Sequence, residues 1–219
     1  VDLAIVGRFS TTEAVSGVSM GSQMISYITY MIAGMSTAVT VQVGQFIGER
    51  RGKDAGDVVG NGILFLGAVT LLFTFIFCAF ARQILNLINM PEEAMREGIN
   101  YLVICGAGFI FTTAYNLFGA IFRGIGDSRT PLITVAIACV LNIFGDLALV
   151  WGFNMGAAGA AIATIAAQAV SVLLSMIIAV KKSKAGKLPF TFCTNNLKPK
   201  KELLVKIIKM AIPLALNEF

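Results

Sequence analysis

The feature that most limits this chain is a succession of apolar runs, at 16–47, 58–80, 97–122, 131–151 and 156–180, joined by short polar links. A bilayer's hydrocarbon core is ~30 Å thick and takes ~20 apolar helical residues to cross. Every run reaches that length, and a run in lipid must satisfy its own backbone hydrogen bonds, which a helix does. The chain therefore reads as an all-α integral membrane protein, partnered by the lipid bilayer. Composition agrees: 57% of residues are hydrophobic and 13% charged, with a mean hydropathy of +0.81, too apolar for an ordinary soluble domain.

Two partial runs flank these five. Residues 1–7 are apolar except for Asp2 and end at Arg8, and they read as the last turns of a first helix that begins upstream. Residues 210–219 turn apolar again and read as the start of a seventh. Val1 stands where an initiator Met would, and no basic region precedes an apolar stretch, so a truncated chain without a signal peptide is expected. The expected organisation is a six-transmembrane-helix bundle over 1–180, a basic linker over 181–209 and the start of a second lobe over 210–219. Pro91 marks a short interfacial helix, the charged loop 49–57 precedes the third span, Pro131 opens the fifth, and Trp151 anchors its end at the interface.

The distribution of Lys and Arg supports this count. With alternating spans, one side receives Arg50, Arg51, Lys53, Arg123, Arg129 and the nine Lys of 181–209, which is 14 of 17, and the other receives Arg8, Arg82 and Arg96. Basic residues concentrate on the cytoplasmic side of a membrane protein. The linker and the upstream N-terminus are thus expected in the cytoplasm, and the basic balance of +5 reads as a topology signal with no nucleic-acid partner.

Chemistry based on histidine, structural zinc or a disulfide scaffold lacks its raw material. His is absent, and the four Cys, at 78, 105, 139 and 193, show no metal spacing. Gly124-Ile125-Gly126 lacks the strand and third glycine of a dinucleotide site and reads as a loop. The small-residue stretch 156–161 reads as close helix packing. Met20, Met24, Met31 and Met35 share helical spacing and form either an adaptable wall or ordinary packing. No enzyme and no cofactor is expected.

Of 12 acidic residues ten lie in loops or near helix ends, and only Asp2 and Asp146 fall within the apolar runs that should cross the bilayer. A central Asp opposes insertion by ~2.5–3.5 kcal/mol and so usually faces the bundle interior with a task. Asn142 lies one turn before Asp146 on the same helix face. Asp146 lies nine residues before Met155, at the link between the fifth and sixth spans, and Thr164 nine after it. Both therefore sit ~13 Å from that turn on antiparallel helices, at matching depth. Carboxylate, amide carbonyl and hydroxyl are hard oxygen ligands suited to Na⁺ or, with desolvated acids, to a proton. The competing reading makes Asp146 a packing carboxylate, Asn142 a helix glue, and Thr164 a hydroxyl bonded to its own backbone. Asp2, six residues before Arg8, belongs by count to the same half of the membrane.

Taken in order, these motifs resemble the multidrug and toxic compound extrusion (MATE) family: Val1-Asp2 with Val6-Gly7, Gly44-Gln45-Phe46-Ile47-Gly48, the Arg123 to Pro131 turn, Asn142-x-x-x-Asp146, and the stretch from Gly156 to Thr164. The resemblance implies twelve helices in two six-helix lobes, this chain being the N-lobe, and Na⁺- or H⁺-coupled antiport that exports organic, often cationic, drugs across the plasma (inner) membrane. The C-terminal Ile212 to Phe219 looks like the opening of the other lobe, which would be a partner for this one. By position, the family's cation site falls on Asp2, Asn142, Asp146 and Thr164, with Na⁺ the metal if coupling is to Na⁺, and Asn116 falls on the substrate path. Two other readings are a lipid-linked oligosaccharide flippase of related fold, for which the spans offer no Lys or Arg, and a non-transporting membrane scaffold.

Overall fold

A computed structural model of the chain describes residues 2–190 and 194–217. Val1, Cys193, Glu218 and Phe219, named above, lie outside the described residues. All regular structure among the described residues is helical. In chain order the helices are α1 (Asp2–Phe9), α2 (Thr12–Gly48), α3 (Gly52–Ala79), α4 (Ala81–Leu87), α5 (Glu92–Ala107), α6 (Phe109–Gly124), α7 (Arg129–Asp146), α8 (Gly156–Lys184) and α9 (Lys201–Leu216), with a π-helical segment at Leu147–Gly152 and a 3₁₀ turn at Thr194–Leu197.

Four helices are long and apolar enough to cross a membrane: Thr12–Gly48, Gly52–Ala79, Arg129–Gly152 and Gly156–Lys184. Helices α5 and α6, which the apolar run presented as one continuous helix, make a fifth span when the bent pair is taken as one. The structure bends it by 48° at Gly108. The cause is a neighbour: a Cβ on Gly108 would stand 2.3 Å from Cδ1 and 2.5 Å from Cγ1 of Ile165 on α8. Ile165 occupies the space a side chain would need, and glycine lets the helix break there. The first expected span is the eight-residue α1, too short to cross. The stretch before Pro91 forms α4, and Pro91 itself caps the start of α5 at Glu92.

Helix ends show why the links are short. After α2, α4, α6 and α8 the chain turns through a left-handed residue, respectively Arg50, Asn89, Gly126 and Gly186. In each case the next amide bonds back five residues, as Arg51 N–H does to the Phe46 carbonyl at 2.8 Å and Asp127 N–H to that of Phe122 at 2.8 Å. This closure satisfies carbonyls that the helix leaves open.

The fold divides into two compact units. Each long helix contributes one length to each. Unit 1 comprises Val1–Ile28, Thr70–Thr112 and Ala136–Val170. Its core gathers Val6, Val18, Tyr101, Cys105 and Val150 with Ala157, Ala160 and Ala161 of α8, so the small-residue stretch packs against α1 and the π-helical segment. Unit 2 comprises Thr29–Val69, Thr113–Val135 and Ser171–Phe219, and it carries 14 of the 17 Lys and Arg residues. In its core Met35, Val39 and Val43 of α2 meet Val58 and Leu66 of α3, Leu117 of α6, and Ala211 and Ala215 of α9. Gly34 admits α9 closely, since a Cβ there would be 2.7 Å from the Leu214 carbonyl oxygen. Outside these cores Leu71, Phe75, Leu132 and Phe144 are exposed, a surface that lipid, not water, must cover.

Helix α3 starts six residues earlier than its apolar run. Asp57, which the charge pattern assigns to a loop, is buried on α3. Its carboxylate accepts from Asn196 Nδ2 at 3.0 Å and pairs with Lys200. A charge matched in this way no longer needs bulk water. Helix α9 likewise starts at Lys201, nine residues before the apolar stretch at 210.

Candidate functional site

Three helices of unit 1 converge on one polar cluster. Helix α1 supplies Asp2, α7 supplies Asn142 and Asp146, and α8 supplies Thr164. Close approach of α7 and α8 makes this possible: a Cβ on Gly145 would stand only 3.0 Å from that of Ala163. Thr164 Oγ1 donates to Asp2 Oδ2 at 2.9 Å, and Asn142 Nδ2 donates to Thr164 Oγ1 at 3.2 Å. The hydroxyl is thus a relay between the amide of α7 and the carboxylate of α1.

Asp146 completes the cluster differently. Its side chain is fully buried at 0% exposure, and neither oxygen meets a hydrogen-bond donor among the described residues. The Asp2 carboxyl lies near enough to interact with it electrostatically. Two ionised carboxylates cannot satisfy one another's hydrogen-bonding capacity. Tyr101 and Cys105 of α5 are buried in the same core as Val6 of α1 and Val150 of the π-helical segment that follows Asp146.

The backbone is unusual at the same point. Helix α7 gives way at Asp146 to the π-helical segment, where Phe153 N–H bonds to the Ala148 carbonyl at 3.0 Å and Met155 N–H to that of Leu149 at 3.0 Å. Such widened turns occur often at functional sites. No pattern in the apolar run 131–151 announces it.

All four residues assigned to the cation site therefore lie in one cluster. Asn116 does not join it; it belongs to unit 2 and lines a cavity of about 110 Å³ with Tyr115, Arg123 and Thr134. Two further polar groups in the spans, both glutamines, lie outside the residues that the sequence singles out. In unit 1, Thr112 donates to Gln168 Oε1 at 2.7 Å, and in unit 2 Gln42 is fully buried with its amide unpaired among the described residues. Glutamines in the middle of apolar runs were the available signal. Among the described residues no three His, Cys, Asp or Glu side chains converge on a point where they would hold a metal ion. The donor set suits a monovalent cation or a proton, not zinc.

Long apolar helices packed around a buried cluster of acids, amide and hydroxyl define a multi-pass membrane protein. The chain belongs to the MatE family, whose model matches residues 1–148, a stretch that contains Asp2, Asn142 and Asp146. It is 27% identical to the probable multidrug resistance protein YoeA of Bacillus subtilis over 99% of this chain and 48% of that protein. It is 26% identical to the probable multidrug resistance protein NorM of Thermotoga maritima over 100% of this chain and 47% of that protein. Its fold matches the crystal structure of a MATE protein in the bent conformation with a TM-score of 0.90 at 20% identity, covering 99% of this chain and 48% of that one. The chain spans about half the length of the curated relatives it matches.

Proposed function

We propose that this chain is the N-terminal lobe of a cation-coupled antiporter in the plasma membrane that exports organic, often cationic, compounds. Asp2, Asn142, Asp146 and Thr164 hold the coupling ion, Na⁺ or a proton. The observation that carries this reading is the fully buried Asp146 carboxylate, which has no hydrogen-bond donor among the described residues and a second carboxyl in its vicinity. A lone buried charge is costly, and a neighbouring charge of the same sign raises the cost further. Binding one cation removes that cost. The Thr164 hydroxyl and the Asn142 amide carbonyl supply the remaining hard oxygens.

Loading and unloading the site changes its charge by one unit, which biases a bundle between two packings. The π-helical segment after Asp146 is a natural element to rearrange, because recovering a regular α turn re-registers the residues beyond it. The concentration of basic residues in unit 2 supports a cytoplasmic placement for the segment joining α8 to α9. Both curated relatives carry multidrug resistance in their names, which supports drug-like cargo taken up at a cleft shared with a second lobe.

The test is efflux by the full-length protein in proteoliposomes, with Na⁺ and H⁺ gradients imposed in turn. Asp146→Asn should abolish gradient-driven efflux while the protein inserts and folds normally. Undiminished coupled efflux in that variant would overturn the reading.

A further inference from the structure

Unit 2 contains a cavity of about 450 Å³ between α3, α6 and α8 whose lining side chains are all apolar, among them Ile63, Phe118, Phe122, Met176 and Val180. The volume is that of a ligand pocket, ~300–1,000 Å³, but the lining offers a polar ligand nothing to bond. Its rim is of opposite character. Val180 is followed by Lys181, Lys182 and Lys184, and the lining residue Leu188 is preceded by Lys187. Lys182 lies 5.6 Å from the centre of the Phe122 ring and is held by Asp127. Lys181, Lys184 and Lys187 are exposed, and no ion pair among the described residues involves them.

The wall formed by Leu188 and Phe190 is fixed in place. A Cβ on Gly52 would stand 2.3 Å from the Pro189 carbonyl oxygen, so the backbone here lies directly against α3. Phe190 is buried in the core of unit 2 beside Val58, Val59 and Leu117. Further along, Lys200 N–H donates to Asn61 Oδ1 at 2.8 Å while Asn196 and Lys200 hold Asp57. The cavity therefore has one fixed wall, while Ile63, Met176 and Val180 of its lining stay exposed where an acyl chain can enter.

An apolar chamber with cations at one end matches an amphiphile with a hydrocarbon chain and an anionic head. We propose that this pocket receives an acyl chain of an anionic phospholipid, whose phosphate is met by Lys181, Lys184 and Lys187. The apolar lining selects a hydrocarbon chain over a soluble anion, and the lysines select an anionic over a zwitterionic head group. Bound there, the lipid braces the segment that joins α8 to α9.

The test uses the full-length protein in phosphatidylcholine nanodiscs containing a minority of phosphatidylglycerol. A trace of either lipid carries a photoactivatable diazirine near the end of one acyl chain, and adducts are mapped by peptide mass spectrometry. Phosphatidylglycerol adducts should concentrate on lining residues such as Ile63 and Met176, at least about fivefold above the exposed Leu71 and Phe75, and phosphatidylcholine should label them about fivefold less. Ala179→Phe and, independently, Ala114→Phe fill the pocket and should remove the concentrated label. Replacing Lys181, Lys184 and Lys187 together by Gln should abolish the preference for phosphatidylglycerol. Label spread evenly over the exposed apolar surface, equal labelling by both lipids, or labelling unchanged in both filled variants would overturn the proposal. The adduct map of the unsubstituted protein decides the matter even if a variant fails to fold.

Discussion

The hydroxyl of Thr164 donates to the carboxylate of Asp2 at 2.9 Å, tying together two side chains that lie 162 positions apart. The same oxygen accepts from Asn142, so one hydroxyl organises an acid and an amide on two other helices. Thr164→Val keeps the shape and removes both bonds. In the full-length protein it should weaken the apparent affinity for the coupling cation about tenfold, the usual scale for losing a hydrogen bond to a charged group, while Thr164→Ser retains it. The measurement is the Na⁺ or H⁺ concentration that half-saturates efflux, and an identical value for Val and Thr would sink the assignment.

Asp127, in the turn between α6 and α7, gives a pH dependence of known sign. Burial pushes its carboxyl up, but Lys182 together with the hydroxyl and backbone N–H of Thr130 outweighs burial and leaves it at about 2, below the ordinary 3.8. A carboxyl lowered by folding contributes stability that is complete above its unfolded value and lost as pH falls through the folded one. Asp127→Asn should therefore destabilise the protein by on the order of 2 kcal/mol at neutral pH. The deficit should hold down to about pH 4 and shrink towards pH 2. Thermal unfolding in detergent across that range is the check, and a deficit that does not shrink in acid would contradict the ion pair's role.

The break between α5 and α6 is open to a double-mutant test. Gly108→Ala drives a methyl group into Ile165 and should destabilise the fold by about 1–3 kcal/mol. Rotating Ile165 offers little relief, because both Cδ1 and Cγ1 stand in the way. With Ile165→Ala in the background the Gly108→Ala penalty should largely disappear, leaving a coupling energy above about 0.5 kcal/mol. Additive losses would show that the bend has another cause.

Arg50 offers a stabilising change. It holds φ of 58° after α2, a conformation that costs a side-chain-bearing residue ~1–2 kcal/mol. Part of that returns as the larger entropy glycine loses on folding. Arg50→Gly should gain about 0.5 kcal/mol, read as a small rise in the unfolding temperature. A fall would mean the side chain makes a contact that offsets its strain.

Hydropathy along the chain marked the five long spans to within a few residues at most ends, because insertion in lipid demands local apolarity and a self-satisfied backbone. It failed at Asp57, where a charge lies inside α3. Apolarity is a local average, whereas Asp57 is tolerated because Asn196 and Lys200 return to it from the approach to α9. The bend at Gly108 was invisible for a similar reason, since its cause is a side chain on α8.

For the candidate site, the sequence determined which residues were anomalous: an acid within an apolar run, an amide one helical turn away, and a hydroxyl at matching depth. Those follow from helix geometry and the cost of charge in hydrocarbon. Only the tertiary structure decided that Thr164 bonds to Asp2, that Asp146 is buried with no donor among the described residues, and that the helix widens just beyond it. Spacing along one helix places a residue on a face. Which face meets which depends on how three helices pack, and here that depends on Gly145 letting α7 reach α8 and on α1 closing against both.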